Sequence, residues 1–297
     1  MGSSKAERQT PVPPLHSAKT TYLDHNVVVD IMNERSNEAL AAVKRAELTF
    51  VLSPAHWIEA ARSSSFEQAC RTAKTMDDLQ AHWLRERREL QRREVRAWAC
   101  RKPADLDTIQ PICRTVSELA SDYSGVTGAI AIVTSEMMVR HMQKDGSFLK
   151  IIGGAYKGNA EGFERNVDHV RDGRLTPETE QRIWNSWVES VAQEIDLGHL
   201  TERLVNADRF HFPSILTEYE IAKENWARGV NNPEMKLNPS RLSDCFHVIA
   251  ALPYVDCIVS RDNGFRGLVT TVRSRLPFRT ARPVESLEQL LDEFGKP

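Results

Sequence analysis

The chain has 297 residues, of which 41% are hydrophobic and 27% charged, and its formal net charge is −2. That length supports a sizeable buried core, and the near-zero charge excludes a globally basic nucleic-acid binder while leaving room for a local basic patch. No apolar run approaches the roughly 18 to 20 residues of a membrane span. The five cysteines, Cys70, Cys100, Cys113, Cys245 and Cys257, show no CxxC spacing, which argues against a disulfide framework or a structural zinc site and for a reducing cytoplasm.

Met1 to Lys19 carries charge, Pro and Ser but no apolar h-region, so it reads as a flexible leader rather than a secretory signal. From Thr20 onward a single domain is expected. Thr20 to Leu23 is a short β-rich run, followed after Asp24 by a segment apolar enough for a buried helix. Leu48 to Leu52 is a second compact strand. It stops at Ser53-Pro54, a good N-cap followed by a good first helical residue, which opens a helix carrying Trp57, Ile58 and Glu59.

Between about Ser63 and Leu237 there is almost no strand signal. Phe66 to Cys100 and Pro177 to Ile195, the latter capped by Thr176, read as helices. Gly-containing stretches at 151–154 and 170–173 are expected to interrupt them. His82 to Arg96 lies in this region with six Arg against three Glu. Arg87, Arg88 and Arg92 are candidate phosphate contacts; the alternative is a solvated helix stitched by Glu–Arg pairs one turn apart.

Asn238-Pro239 repeats the cap signal and opens a helix through Asp244 and His247 to Ala251. Val255 to Ser260 is a third strand, Arg282 to Val284 a last one, and Ser286 to Phe294 a final helix. The fold class is therefore α/β: a parallel sheet flanked by helices, its core drawn from about 20–62 and 238–297, with a large helical insertion at about 63–237.

Four acids fall where strands end or helices begin: Asp24, Glu59, Asp244 and Asp262. In an open parallel sheet the functional crevice lies beyond the carboxyl ends of the strands, so these sequence-distant residues can converge there. Gathered carboxylates repel one another, and a hard divalent cation compensates them. Such a cation activates water and stabilises charge on a phosphoryl group. Taken singly, an Asp after a strand is more often an N-cap or turn residue. The order of all four is what favours a site.

Tyr22-Leu23-Asp24-His25-Asn26, Val51-Leu52-Ser53-Pro54 with Glu59, Ser243 to Ala251, and Asp256 to Asp262 together resemble the four successive motifs of the PIN-domain family. The resemblance covers about Thr20 to Arg62 and Asn238 to Phe265. It implies a PIN-like fold, Mg²⁺ or Mn²⁺ held by Asp24, Glu59, Asp244 and Asp262, with Asn26 supporting the first Asp, and cleavage of RNA. His247, one turn beyond Asp244, and Ser260 are expected to support the site from its edge. Many family members are toxins paired with an antitoxin protein, so RNA and such a protein are the expected partners. Two rivals remain: a catalytically silent scaffold, which would typically lack an acid, and a structure-specific DNA nuclease.

Overall fold

The computed structural model describes residues 20–35, 37–38, 40–41, 48–124 and 133–294; the expected leader at 1–19 lies outside them. Among these residues six strands form one sheet: β1 (Thr20–Leu23), β2 (Thr49–Leu52), β3 (His82–Leu84), β4 (Ile112–Cys113), β5 (Cys257–Val259) and β6 (Arg282–Val284). Their spatial order is β4-β3-β2-β1-β5-β6. All neighbours run parallel except β3 and β4. The chain is thus α/β, with a mostly parallel sheet covered by helices.

Helices of eight residues or more are numbered α1 (His25–Met32), α2 (Pro54–Ala61), α3 (Phe66–Asp78), α4 (Arg87–Ala99), α5 (Val116–Ser124), α6 (Ser135–Lys144), α7 (Gly146–Arg171), α8 (Pro177–Glu194), α9 (Pro213–Asn231), α10 (Pro239–Ala251), α11 (Asn263–Arg273) and α12 (Leu287–Phe294). Among the described residues no helix is long and apolar enough to cross a membrane.

Strand side chains alternate between the two faces, and both faces are buried. Tyr22, Val51, Leu84 and Ile258 enter one core with Trp184, Tyr219 and Val248. Leu23, Leu52, Trp83 and Val259 enter the other with Val28, Trp57 and Met76. A smaller third cluster, Phe163, Val167 and Trp226, joins α7 to α9.

Three expectations are corrected. The middle of the chain does supply strands, because β3 and β4 extend the sheet beyond β2. The stretch Phe66 to Cys100 is two helices, not one: α3 ends near Gln80, which adopts a left-handed φ of 51°, and His82–Leu84 then pairs with Val51 and Leu52. Two to three extended residues inside a strongly helical composition leave little pattern to read. Finally, Gly153 and Gly154 do not interrupt a helix but lie inside α7, since a mid-helix glycine costs only about 1 kcal/mol. The break at 170–173 does occur, with Gly173 at φ 67°.

Candidate active site

β1 is central, and the order reverses beside it: connections from β1 lead toward β2 and β3, those from β5 toward β6. A crevice opens at the carboxyl ends of strands flanking such a switch. Asp24 follows β1, Ser53 follows β2, and Ser260 follows β5.

Asp24 is 5% exposed and caps α1, accepting from the His25 amide at 2.7 Å. Its other oxygen accepts from Asn26 Nδ2 at 2.7 Å and from Ser260 Oγ at 2.6 Å. Three donors leave roughly one of about four lone-pair positions for a further partner. Asp262 is exposed at the mouth and caps α11 through the Phe265 amide at 2.8 Å. Capping and membership of the crevice therefore coincide in both residues. Asp256 does not join them; it accepts from the Thr20 amide at 2.9 Å, at the opposite, amino end of β1.

Glu59 on α2 faces two imidazoles, with its Oε2 3.3 Å from His247 Nε2 and 3.5 Å from His25 Nδ1. Burial alone pushes the Glu59 carboxyl up, but His247 and His25 outweigh it and hold the acid well below the usual carboxylate range. Reciprocally, burial pulls His247 down while Glu59, Asp24 and Asp244 more than restore it, so its pKa is raised. Asp24 is raised, chiefly by burial. Asp244 on α10 is pushed up to about 7, first by burial and then by the charges of Asp24, Glu59 and Asp262. Asp24, Glu59 and Asp262 thus stand near enough to Asp244 for their charges to raise it.

Beneath them lies a polar network that sequence reasoning missed. The buried Tyr22 hydroxyl contacts Ser53 Oγ at 2.8 Å and His247 Nδ1. His56, fully buried, places Nε2 2.7 Å from the Leu23 carbonyl, and its Nδ1 lies 3.1 Å from the Ser53 amide. Both contacts suit a neutral ring, and burial holds its pKa well below the usual value. The spacing of His56 and Glu59, one turn apart on α2, was the available signal.

The Arg-rich helix stands apart from this crevice in its pairing. Arg88 and Arg92 bind Glu194 of α8 at 2.9 Å and 3.0 Å, and Arg87 pairs with Glu218 of α9. Ion pairing is what these arginines do in the fold, though mostly between helices rather than one turn along α4.

No family model, curated protein or solved structure matches the chain.

Among the described residues no three His, Cys, Asp or Glu side chains already form a group that could hold an ion. The donor set nevertheless suits a divalent cation. Its oxygens are those that hard ions prefer, and Mg²⁺ ordinarily takes only one or two carboxylates and keeps several waters. The buried Glu59 Oε2 also lacks a hydrogen-bond partner.

Proposed function

We propose that the chain is a metal-dependent phosphodiester hydrolase of the PIN type acting on RNA, with Mg²⁺ or Mn²⁺ held among Asp24, Glu59, Asp244 and Asp262. The observation that carries this reading is the convergence, beyond the carboxyl ends of β1, β2 and β5, of Asp24 with its Ser260 and Asn26 partners and of Glu59 with its His247 and His25 neighbours. There burial and the charges of Asp24, Glu59 and Asp262 push Asp244 up to about 7. Acids from separate segments that raise the cost of ionising Asp244 oppose folding, and clustered perturbed carboxyls mark functional sites. A bound divalent cation would relieve the repulsion, lower the pKa of a bound water and stabilise charge on the phosphoryl group.

The chain's own residues have distinct tasks in this scheme. Ser260 and Asn26 fix the Asp24 carboxylate in one orientation. His247, backed by Tyr22, sets a buried imidazole 3.3 Å from Glu59. Asp262 stands at the exposed rim, where a polymer strand enters. Because Arg87, Arg88 and Arg92 are engaged by Glu194 and Glu218, they are not assigned to RNA. A cytoplasmic setting and a cognate inhibitor protein belong to the same reading.

The test is cleavage of labelled single-stranded RNA, single-stranded DNA and tRNA in Mg²⁺ and Mn²⁺ buffers. Asp244→Asn and Asp262→Asn should each lose about 100-fold or more, since even outer partners of a metal are worth 10–100-fold. Equal rates in wild type and both variants would sink the assignment. Cleavage of DNA alone would move the protein to the DNA nucleases, and no cleavage of any substrate would favour a silent scaffold.

A further inference from the structure

Glu59 Oε2, His25 Nδ1 and His247 Nε2 are all buried, and none has a hydrogen-bond partner. Both ring nitrogens nevertheless face the same oxygen, at 3.5 Å and 3.3 Å. Charge-assisted hydrogen bonds are shorter, about 2.7–2.9 Å. The separations are closer to an edge of a coordination shell: with metal–ligand bonds of about 2.0–2.2 Å, adjacent ligands stand roughly 2.9–3.5 Å apart.

The second nitrogen of His247 adds an independent mark. A metal-ligating histidine usually gives its other ring N–H to an oxygen that fixes tautomer and orientation. Nδ1 of His247 faces the Tyr22 hydroxyl, with Ser53 Oγ 3.3 Å away. With the ring proton on Nδ1, as ligation requires, Nε2 offers its lone pair on the side of Glu59. His56 is a useful contrast, because both its nitrogens are occupied by the backbone of Leu23 and Ser53.

We infer that His25 and His247 join Glu59 as ligands, so that the site takes a nitrogen-preferring first-row dication such as Zn²⁺ or Co²⁺ ahead of Mg²⁺. The inference rests on the metal site proposed above and changes its ion. Imidazole suits zinc, cobalt and nickel, whereas a shell of carboxylates and water alone suits magnesium. Ligation by Glu59 and the two histidines would draw in side chains that do not close on one point without an ion.

The experiment uses the full chain stripped of metal and titrated with Zn²⁺, Co²⁺ or Mg²⁺ while Tm is followed. It is paired with electron spin-echo modulation of the Cu²⁺-loaded protein, which detects imidazole nitrogen directly. Zn²⁺ and Co²⁺ should act at concentrations at least about ten-fold below Mg²⁺. His25→Gln and His247→Gln should each remove that preference and part of the nitrogen signal, while the response to Mg²⁺ persists. His25 is partly exposed, so its variant remains informative if the deeper His247→Gln fails to fold. Equal potency of Mg²⁺ and Zn²⁺ in wild type, or nitrogen modulation unchanged in His25→Gln, overturns the histidine ligands. If Asp24→Asn abolishes Mg²⁺ stabilisation in that case, the acid site itself still stands. If no ion raises Tm at all, both the acid site and this inference fall.

Discussion

Tyr22 shows how much a single residue can carry without announcing it. In the sequence it is one β-former in a β-rich run. In the fold its hydroxyl lies buried between Ser53 at the end of β2 and His247 on α10. Only the parallel register that pairs Tyr22 with Val51 makes the meeting possible, and register is not written in any one strand. The four candidate acids stand out in the sequence because each adjoins a boundary signal: a strand end, or a helix opened by Ser53-Pro54 or Asn238-Pro239. His56 was not, since a histidine in the first turn of a helix reads as a cap residue, which it also is. Tyr22→Phe keeps the ring packed and removes only the bridge. Leaving buried polar partners unsatisfied costs about 1–3 kcal/mol, or roughly 2–4 °C per kcal/mol in a chain somewhat smaller than this one. Calorimetry should therefore show a Tm several degrees lower, and an unchanged Tm would mean the hydroxyl bridges nothing.

At the scale of elements, strong caps were read correctly and weak strands were not. Thr176, Ser53 and Asn238 begin helices as expected, because each offers a side chain or backbone arrangement that satisfies the first amides. β3 and β4 total five residues, and their stability comes from pairing with β2 and from burial of Trp83 against Trp57, with ring centroids 4.7 Å apart. Such strands exist only in context. The contact of α7 with α9 is similarly contextual and rests on Gly229. A Cβ there would come within 2.6 Å of Val167 Cγ2 and 2.8 Å of Phe163 Cζ. Gly229→Ala would gain about 1 kcal/mol of helix propensity but incur overpacking of about 1–3 kcal/mol. Net destabilisation of up to about 2 kcal/mol is expected, with α7 displaced and the crevice acids untouched. Hydrogen exchange should quicken around Phe163 and Val167 while the amides of β1 stay protected. A variant more stable than wild type would show that the two helices pack less closely than the backbone positions indicate.

For the whole molecule, two acids at different places in the fold, half-buried Asp244 and fully buried Glu94, should shape stability against pH. Asp244 rises from an ordinary 3.8 to about 7 in the crevice. Glu94 of α4 rises from 4.5 to about 7 through burial; its carboxyl accepts from the Ser214 amide at 2.8 Å, where α9 begins, and contacts the Tyr254 hydroxyl. An acid whose folded pKa is raised binds its proton more tightly when folded. Its contribution is fully present below the unfolded pKa and is lost as pH climbs to the folded value, here from about 4 to 7. Other groups pull oppositely: His25 and His56 are lowered and Glu59 is lowered, so each favours folding more as pH rises from its folded toward its unfolded value. The absolute profile is a sum of opposed slopes, whereas differences between variants isolate one group. Relative to wild type, Glu94→Gln should gain about 3 kcal/mol between pH 4.5 and 7.5, because each tenfold change in proton affinity is worth roughly 1.4 kcal/mol. Its amide oxygen can still accept from Ser214, so the geometry survives. Asp244→Asn should gain about 2–4 kcal/mol over the same range in the metal-free protein. A divalent ion should then separate the two, abolishing the relative gain of Asp244→Asn, because the cation stabilises that carboxylate, while leaving that of Glu94→Gln intact. Denaturant titrations at four pH values, with and without Zn²⁺ or Mg²⁺, measure all of this. An Asp244→Asn curve parallel to wild type from pH 4.5 to 7.5 would mean that the acids do not crowd one another, and the case for a cation among them would go with it.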